Sequence, residues 1–213
     1  MIKNIVILLL LSGLFFLLFD KFGLKIKKNN KPGKIIILNG PSCAGKTSIQ
    51  KVFQELMFPE IWIKIGIDNL LGSVMPSIKT IPKKYCNENK NLSDLIQKSL
   101  VKVIAGMNES IVTYLRLGNN LIVDYILFNK FFLKNLRDNL KGYDVFFVKV
   151  QVSLETANKR EQERNNICPL GPVSTYYSQV YDGLDYDLVV DSEKNSSHEI
   201  AIQIKNFIEK GYI

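Results

Sequence analysis

Residues 35–48 read IIILNGPSCAGKTS, and this stretch decides the fold. Residues 35–38 form an aliphatic run with no polar face, as expected of a strand covered on both sides in a parallel sheet. Directly after it, Gly40-Pro41-Ser42-Cys43-Ala44-Gly45-Lys46-Thr47 satisfies GxxxxGK(S/T) at every fixed position. The chemistry explains the spacing. Such a loop wraps a phosphate so that successive backbone N–H groups, and the N-terminus of the next helix, point at it. Gly40 and Gly45 permit backbone shapes and a close approach that a side chain would block. Lys46 reaches the β- and γ-phosphates, and Thr47 offers its hydroxyl to Mg²⁺. A Gly-containing turn with a surface lysine is the weaker alternative, because a strand precedes this loop and a helix is expected after it. Gly40, Pro41, Ser42, Cys43, Ala44, Gly45, Lys46, Thr47 and Ser48 are therefore the candidate nucleotide-binding set, with the Cys43 thiol incidental.

Outward from the loop, short apolar runs alternate with longer segments of helical period, the pattern of βαβ units and a mainly parallel sheet. Strands are expected at 35–38, 61–67, 121–124, 144–152 and 188–190. Helices are expected at 47–57, 92–117, 128–140, 154–165 and 196–208. In the longest of them Leu92, Leu95, Ile96, Leu100, Val103 and Ile104 recur at three-to-four spacing. Ser196 and Glu199 are spaced as a capping box, which gives His198, the sole histidine, an exposed first-turn position.

A triphosphate bound in this loop needs an acceptor and a base. Strands of such sheets end at the ligand crevice, so acidic residues there are the first candidates. Asp68 follows the second strand and Asp124 ends the third. One carboxylate can take a proton from an acceptor hydroxyl during transfer, and a second can help Thr47 hold Mg²⁺. Either could instead cap the helix that follows it. Arg160 and Arg164, four apart on one helical face, could close over phosphates and stabilise charge in transfer. Alternatively they pair with Glu155, Glu161 or Glu163 on an exposed charged surface.

Composition narrows the partners. The chain has 213 residues, 46% of them hydrophobic, and a net charge of +8. Seven lysines against Asp20 alone put +6 of that within residues 1–34, leaving +2 for the rest, so nucleic-acid binding by the folded part is not expected. Three widely spaced cysteines, Cys43, Cys86 and Cys168, indicate neither a disulfide framework nor a zinc site. Residues 5–19 carry no charge, a run of roughly 22 Å as helix against a hydrocarbon core of about 30 Å. With flanking apolar residues this is a marginal membrane span, and the lysines after it would keep the domain on the cytoplasmic side. An uncleaved anchor is favoured over a cleaved signal or a buried helix. The expected organisation is an anchor at 1–24, a basic linker at 25–33 and a kinase domain at 34–213.

Five stretches resemble the chloramphenicol phosphotransferase-like kinases: IIILNGPSCAGKTS (35–48), IGIDNLLGSVMP (65–76), AGMNESIVTYLRLGNNLIVDYIL (105–127), the RExxR of 160–164, and VYDGLDYDLVVDS (180–192). The resemblance implies a P-loop α/β fold of the nucleoside- and shikimate-kinase type, with five mainly parallel strands. It implies ATP and Mg²⁺ as cofactors and a hydroxylated small molecule as acceptor. Asp68 matches the general base, Lys46 and Thr47 the nucleotide and Mg²⁺ positions, and Arg160 and Arg164 the lid arginines on the ATP phosphates. Three positions depart from the family: Tyr125 where a second Asp is frequent, Ile167 near a further lid arginine, and Tyr181 where a His is usual. A pocket lined by Leu70, Leu71, Met75 and Pro76 would suit an apolar or aromatic acceptor. The alternatives are a membrane-tethered nucleotide-binding module without transfer activity, and a kinase for a nucleoside or nucleotide sugar.

Overall fold

The computed structural model describes residues 31–67, 90–163 and 173–212. All five residues of β1 (Ile35–Asn39) are buried, and their side chains alternate between two cores. Ile36 and Leu38 join one core and Ile35 and Ile37 the other, which is why the strand has no polar face. Around it lie β2 (Trp62–Gly66), β3 (Asn120–Tyr125), β4 (Val145–Gln151) and β5 (Leu188–Asp191). The order is β2-β3-β1-β4-β5, and all four pairings are parallel.

Helices cover both faces. On the Ile36 side, α1 (Lys46–Met57) contributes Ile49 and Phe53, and α5 (Ser197–Phe207) contributes Ile200, Ala201 and Ile204. α4 (Leu154–Glu163) adds Ala157 to the same core. On the Ile35 side, α2 (Lys90–Arg116) inserts Ile104, Met107, Ile111 and Leu115 at helical spacing. α3 (Lys130–Asn139) adds Phe132, Leu133 and Leu136. From β1 the chain first builds one half of the sheet (β2, β3) and then the other (β4, β5). The crevice where the order reverses opens at the C-terminal end of β1, where ligands of such sheets bind and where the phosphate loop begins.

The ten expected elements are present, with ends within two residues of expectation wherever those ends are described. Two short 3₁₀ turns, Val173–Thr175 and Tyr177–Gln179, were not anticipated from the sequence. The capping box forms as expected, the Ser196 hydroxyl accepting from the Glu199 N–H while the Glu199 carboxylate accepts from the Ser196 N–H. The hydrophobic helix and membrane anchor expected within 1–24 find no support. They lie outside the described residues, and among those described no helix is long and apolar enough to cross a membrane. Cys86, Cys168, Ile167 and the pocket residues Leu70, Leu71, Met75 and Pro76 also lie outside them.

Asn39 shows how the end of β1 is fixed. Its side chain is fully buried. Its Nδ2 donates to the Val180 carbonyl at 2.7 Å and to the Tyr186 hydroxyl at 2.6 Å, and its Oδ1 accepts the Leu127 N–H at 2.9 Å. One amide thereby ties the root of the loop to the chain after β3 and to the segment before β5. Asn39→Leu keeps the volume but strands a buried N–H and a buried carbonyl, at a cost of about 2–4 kcal/mol. Urea denaturation measures this, and a loss under about 0.5 kcal/mol, the ordinary range for a surface change, would show that the network is not holding the strand end.

Candidate functional site

The loop after β1 is shaped by two left-handed residues, Cys43 with φ 63° and Gly45 with φ 85°. Glycine takes such a conformation readily, whereas cysteine is held there at a cost of about 1–2 kcal/mol. Gly45 then opens α1, its carbonyl accepting from the Ser48 and Ile49 N–H groups at 3.0 and 3.1 Å. Gly40 is required for a different reason. A Cβ there would lie 2.5 Å from the Val150 carbonyl oxygen, a separation that real Cβ atoms do not show.

Inside the loop, Lys46 is only 5% exposed. Its ammonium donates to the Gly40 and Pro41 carbonyls at 2.9 and 2.7 Å, and lies 3.4 Å from Asp124 Oδ1. The other Asp124 oxygen accepts the Thr47 hydroxyl at 2.8 Å. Asp124 reaches this position because β3 lies between β1 and β2, in register with Leu38 on one side and Gly66 on the other. It does not cap the following helix, a role taken by Asn129, whose side chain accepts the Phe131 N–H. The Thr47 hydroxyl and the Asp124 carboxylate are hard oxygen donors of the kind Mg²⁺ takes from proteins, alongside substrate phosphates and water.

Arg160 does not form the helical ion pairs considered as its alternative. Its guanidinium donates to the Cys43 carbonyl at 3.2 Å, to the Ser192 hydroxyl at 3.3 Å and to the Ser192 carbonyl at 2.9 Å. It therefore bridges the phosphate loop to the β5–α5 connection. Glu161 accepts the Val173 N–H instead. The connection is anchored further by Glu193, which accepts from Ser153 and Thr156 at the start of α4. Beside these contacts a cleft of about 420 Å³ is lined by Cys43, Gly45, Ser48, Arg160, Asn195 and Ser196, among others. Asp68 and Arg164 lie outside the described residues.

Two contributors were missed in the sequence. Tyr176, whose hydroxyl accepts the Ser42 N–H at 3.3 Å, comes from a segment without periodicity. Asn39 did carry a signal, a single amide closing an aliphatic strand.

The model of the family "Chloramphenicol phosphotransferase-like protein" matches residues 33–209. The chain belongs to this family. Among curated proteins, a Mycobacterium tuberculosis protein named "Putative O-phosphotransferase" is 29% identical over 183 residues, covering 81% of this chain and 80% of its own. Among solved structures, the Mycobacterium tuberculosis APS kinase in complex with AMPPNP and APS superposes with a TM-score of 0.60 at 15% identity, covering 84% of this chain and 99% of its own. A gluconokinase from Sinorhizobium meliloti 1021 gives 0.57 at 18%, covering 85% and 94%. At those identities the structural likeness shows the fold alone. Together with membership in the chloramphenicol phosphotransferase-like family, it makes this chain a kinase-like phosphotransferase.

Against the family pattern, Tyr125 is the informative departure. It follows Asp124 on β3 and so faces the opposite side of the sheet, in the core with α2 and α3. Its hydroxyl donates to Asn108 Oδ1 at 3.2 Å, and Asn108 donates in turn to Asn135 at 2.7 Å. Burial pushes the phenol pKa far above its ordinary value, with Asn108 opposing slightly, so the group is a neutral donor. Tyr125→Asp, which restores the residue frequent in the family, is expected to lower stability by more than about 3 kcal/mol without raising activity, since it buries a carboxyl in a cavity. A stable, more active variant in thermal melts and turnover assays would overturn this reading.

Proposed function

We propose that the chain transfers the γ-phosphoryl group of ATP to a hydroxyl of a small-molecule acceptor. The observation that carries this reading is the buried Lys46–Asp124 pair, with the exposed Thr47 hydroxyl on the same carboxylate, at the mouth of a loop with two left-handed residues. The ammonium exchanges its neutral carbonyl partners for the β- and γ-phosphate oxygens, and the loop N–H groups receive the same phosphates. Thr47 and Asp124 would hold Mg²⁺, which when bound supplies charge neutralisation to the phosphates. The cleft beside Arg160 and Ser196 takes the nucleoside, leaving the phosphate chain to run along the loop. Arg160, already on the loop backbone, lies where a guanidinium can follow phosphate charge; Arg164 is proposed as its partner from the sequence alone.

Asp68 is the proposed general base for the acceptor hydroxyl. Supporting this, β2 ends at Gly66 in register with Asp124, and Asp68 follows two residues later in the sequence. Asp68→Asn is expected to reduce transfer by about 100-fold or more, the range of general-base catalysis, with ATP affinity unchanged. The assay is ATP consumption by the full chain across a panel of hydroxylated compounds. Wild-type turnover in the variant would remove Asp68 from the role. No consumption with any acceptor, beside firm ATP binding, would favour a nucleotide-binding module. That weaker reading drew on Tyr125, Ile167 and Tyr181. The Tyr125 side chain faces the opposite core, and the Tyr181 hydroxyl donates to the Val150 carbonyl at 3.0 Å. A nucleoside or nucleotide sugar remains within the acceptor class.

For residues 5–19 the proposal rests on sequence alone: an uncharged run followed by lysines would tether the domain to the cytoplasmic side of a membrane. The full chain is then expected to float with lipid vesicles in a density gradient at high salt. Recovery in the soluble fraction would exclude the tether and leave the kinase reading untouched.

A further inference from the structure

Segment 173–187 carries four tyrosines, and each hydroxyl is placed on a definite atom. Tyr177 donates to the Val152 carbonyl at 2.6 Å and Tyr181 to the Val150 carbonyl at 3.0 Å. Tyr186 accepts from Asn39 at 2.6 Å. These three fasten the segment to the ends of β4 and β1. Tyr176 differs, because its hydroxyl accepts the Ser42 N–H at 3.3 Å, inside the phosphate loop itself. Its ring is 3% exposed and lies against Phe128, with centroids 5.0 Å apart and planes tilted by 32°. Packing on Phe128 helps set where the hydroxyl points.

The next residue, Cys43, has the left-handed φ of 63°, and its carbonyl accepts from Arg160 at 3.2 Å. The two residues that enter and make this turn are thus held from outside, one by its N–H and the other by its carbonyl. A left-handed cysteine is unfavourable in a free chain, so the turn needs such support. A phosphate needs the N–H groups after such a turn to face it together, so the shape of the turn bears directly on binding.

We propose that Tyr176 is a positioning residue for nucleotide binding. Its hydroxyl fixes the Ser42 amide and with it the turn at Cys43, so that the loop is pre-shaped before a phosphate arrives. It acts through Ser42 and does not itself touch the nucleotide. A loop that is not pre-shaped must be ordered by its ligand, and affinity falls by the fraction of time it is out of shape. The inference rests on the nucleotide site proposed above.

The test is calorimetric titration of the full-length protein with ATP in the presence of Mg²⁺. Tyr176→Phe keeps the ring on Phe128 and deletes only the hydroxyl. Its dissociation constant is expected to rise about three- to tenfold, the equivalent of one ordinary hydrogen bond. Tyr177→Phe and Tyr181→Phe, which remove hydroxyl bonds to the Val152 and Val150 carbonyls and none to the loop, serve as controls. They should lower the melting temperature as much as Tyr176→Phe does and leave the ATP constant at the wild-type value. Unchanged binding by Tyr176→Phe would overturn the proposal, and so would an equal weakening in all three variants, which would mean general loosening of the segment. Absence of ATP binding by the wild type would overturn the nucleotide site itself and this inference with it, a result distinct from the other two.

Discussion

The Lys46 ammonium sits almost wholly out of water, and a charge there is tolerated only when its donors are taken up and its charge is matched. It has three N–H donors and finds three oxygens: the Gly40 and Pro41 carbonyls and Asp124 Oδ1. Each demand shapes the surroundings. Two consecutive carbonyls must face the same ammonium, so the chain has to curl immediately after β1. The curl brings Gly40 against Val150, where no Cβ fits. A carboxylate must arrive from another strand, and β3 is the strand that pairs with β1 on that side. Breaking such a buried pair by removing one partner costs about 3–5 kcal/mol, so the loop, the strand order and the acid are not independent choices.

The two-residue period of β3 sharpens that dependence. Ile122 and Asp124 face α1 and the loop, while Leu121, Val123 and Tyr125 face α2 and α3. Neighbouring residues in the chain therefore live in different environments. At position 124 a carboxylate meets an ammonium and a hydroxyl; at position 125 any polar group must find a partner among α2 and α3. Tyr125 finds Asn108, which is held by Asn135 on α3. A departure from the family pattern that looked like lost chemistry is, in three dimensions, a core residue with its hydroxyl satisfied on the far side of the sheet.

The elements readable from the sequence were those whose signals are local. An aliphatic run, a glycine-spaced loop and a heptad-like stripe each state their own structure, and the five parallel strands followed from them. Asp124 was readable because strand ends meet at the crevice, a rule of topology rather than of neighbours. What failed to register was non-local. Tyr176 reaches Ser42 across 134 residues and Arg160 reaches Cys43 across 117, and no spacing rule operates over such distances. Arg160 also shows how a local rule misleads. Glu155, Glu161 and Glu163 on the same helix made surface pairing the obvious alternative, yet an exposed helical pair is worth only about 0.3–0.5 kcal/mol. Backbone carbonyls at a folded crevice, needing donors, offered it better-placed partners.

That outcome bears on how the nucleotide site is held. Arg160 leaves α4 and Tyr176 begins the chain's return, and both terminate on adjacent residues of the loop, Ser42 and Cys43. Arg160 also grips Ser192, and Glu193 next to it grips the start of α4, so the β5–α5 connection is tied to both ends of one helix turn system. The cleft beside Arg160 is therefore walled by elements that already share hydrogen bonds with the loop. A ligand occupying cleft and loop together meets one connected unit rather than two surfaces to be assembled, and a unit shaped beforehand leaves less ordering for the ligand to accomplish. Lys46 and Asp124 supply the charge, and the long-range contacts of Arg160, Tyr176 and Asn39 supply the shape in which that charge is presented.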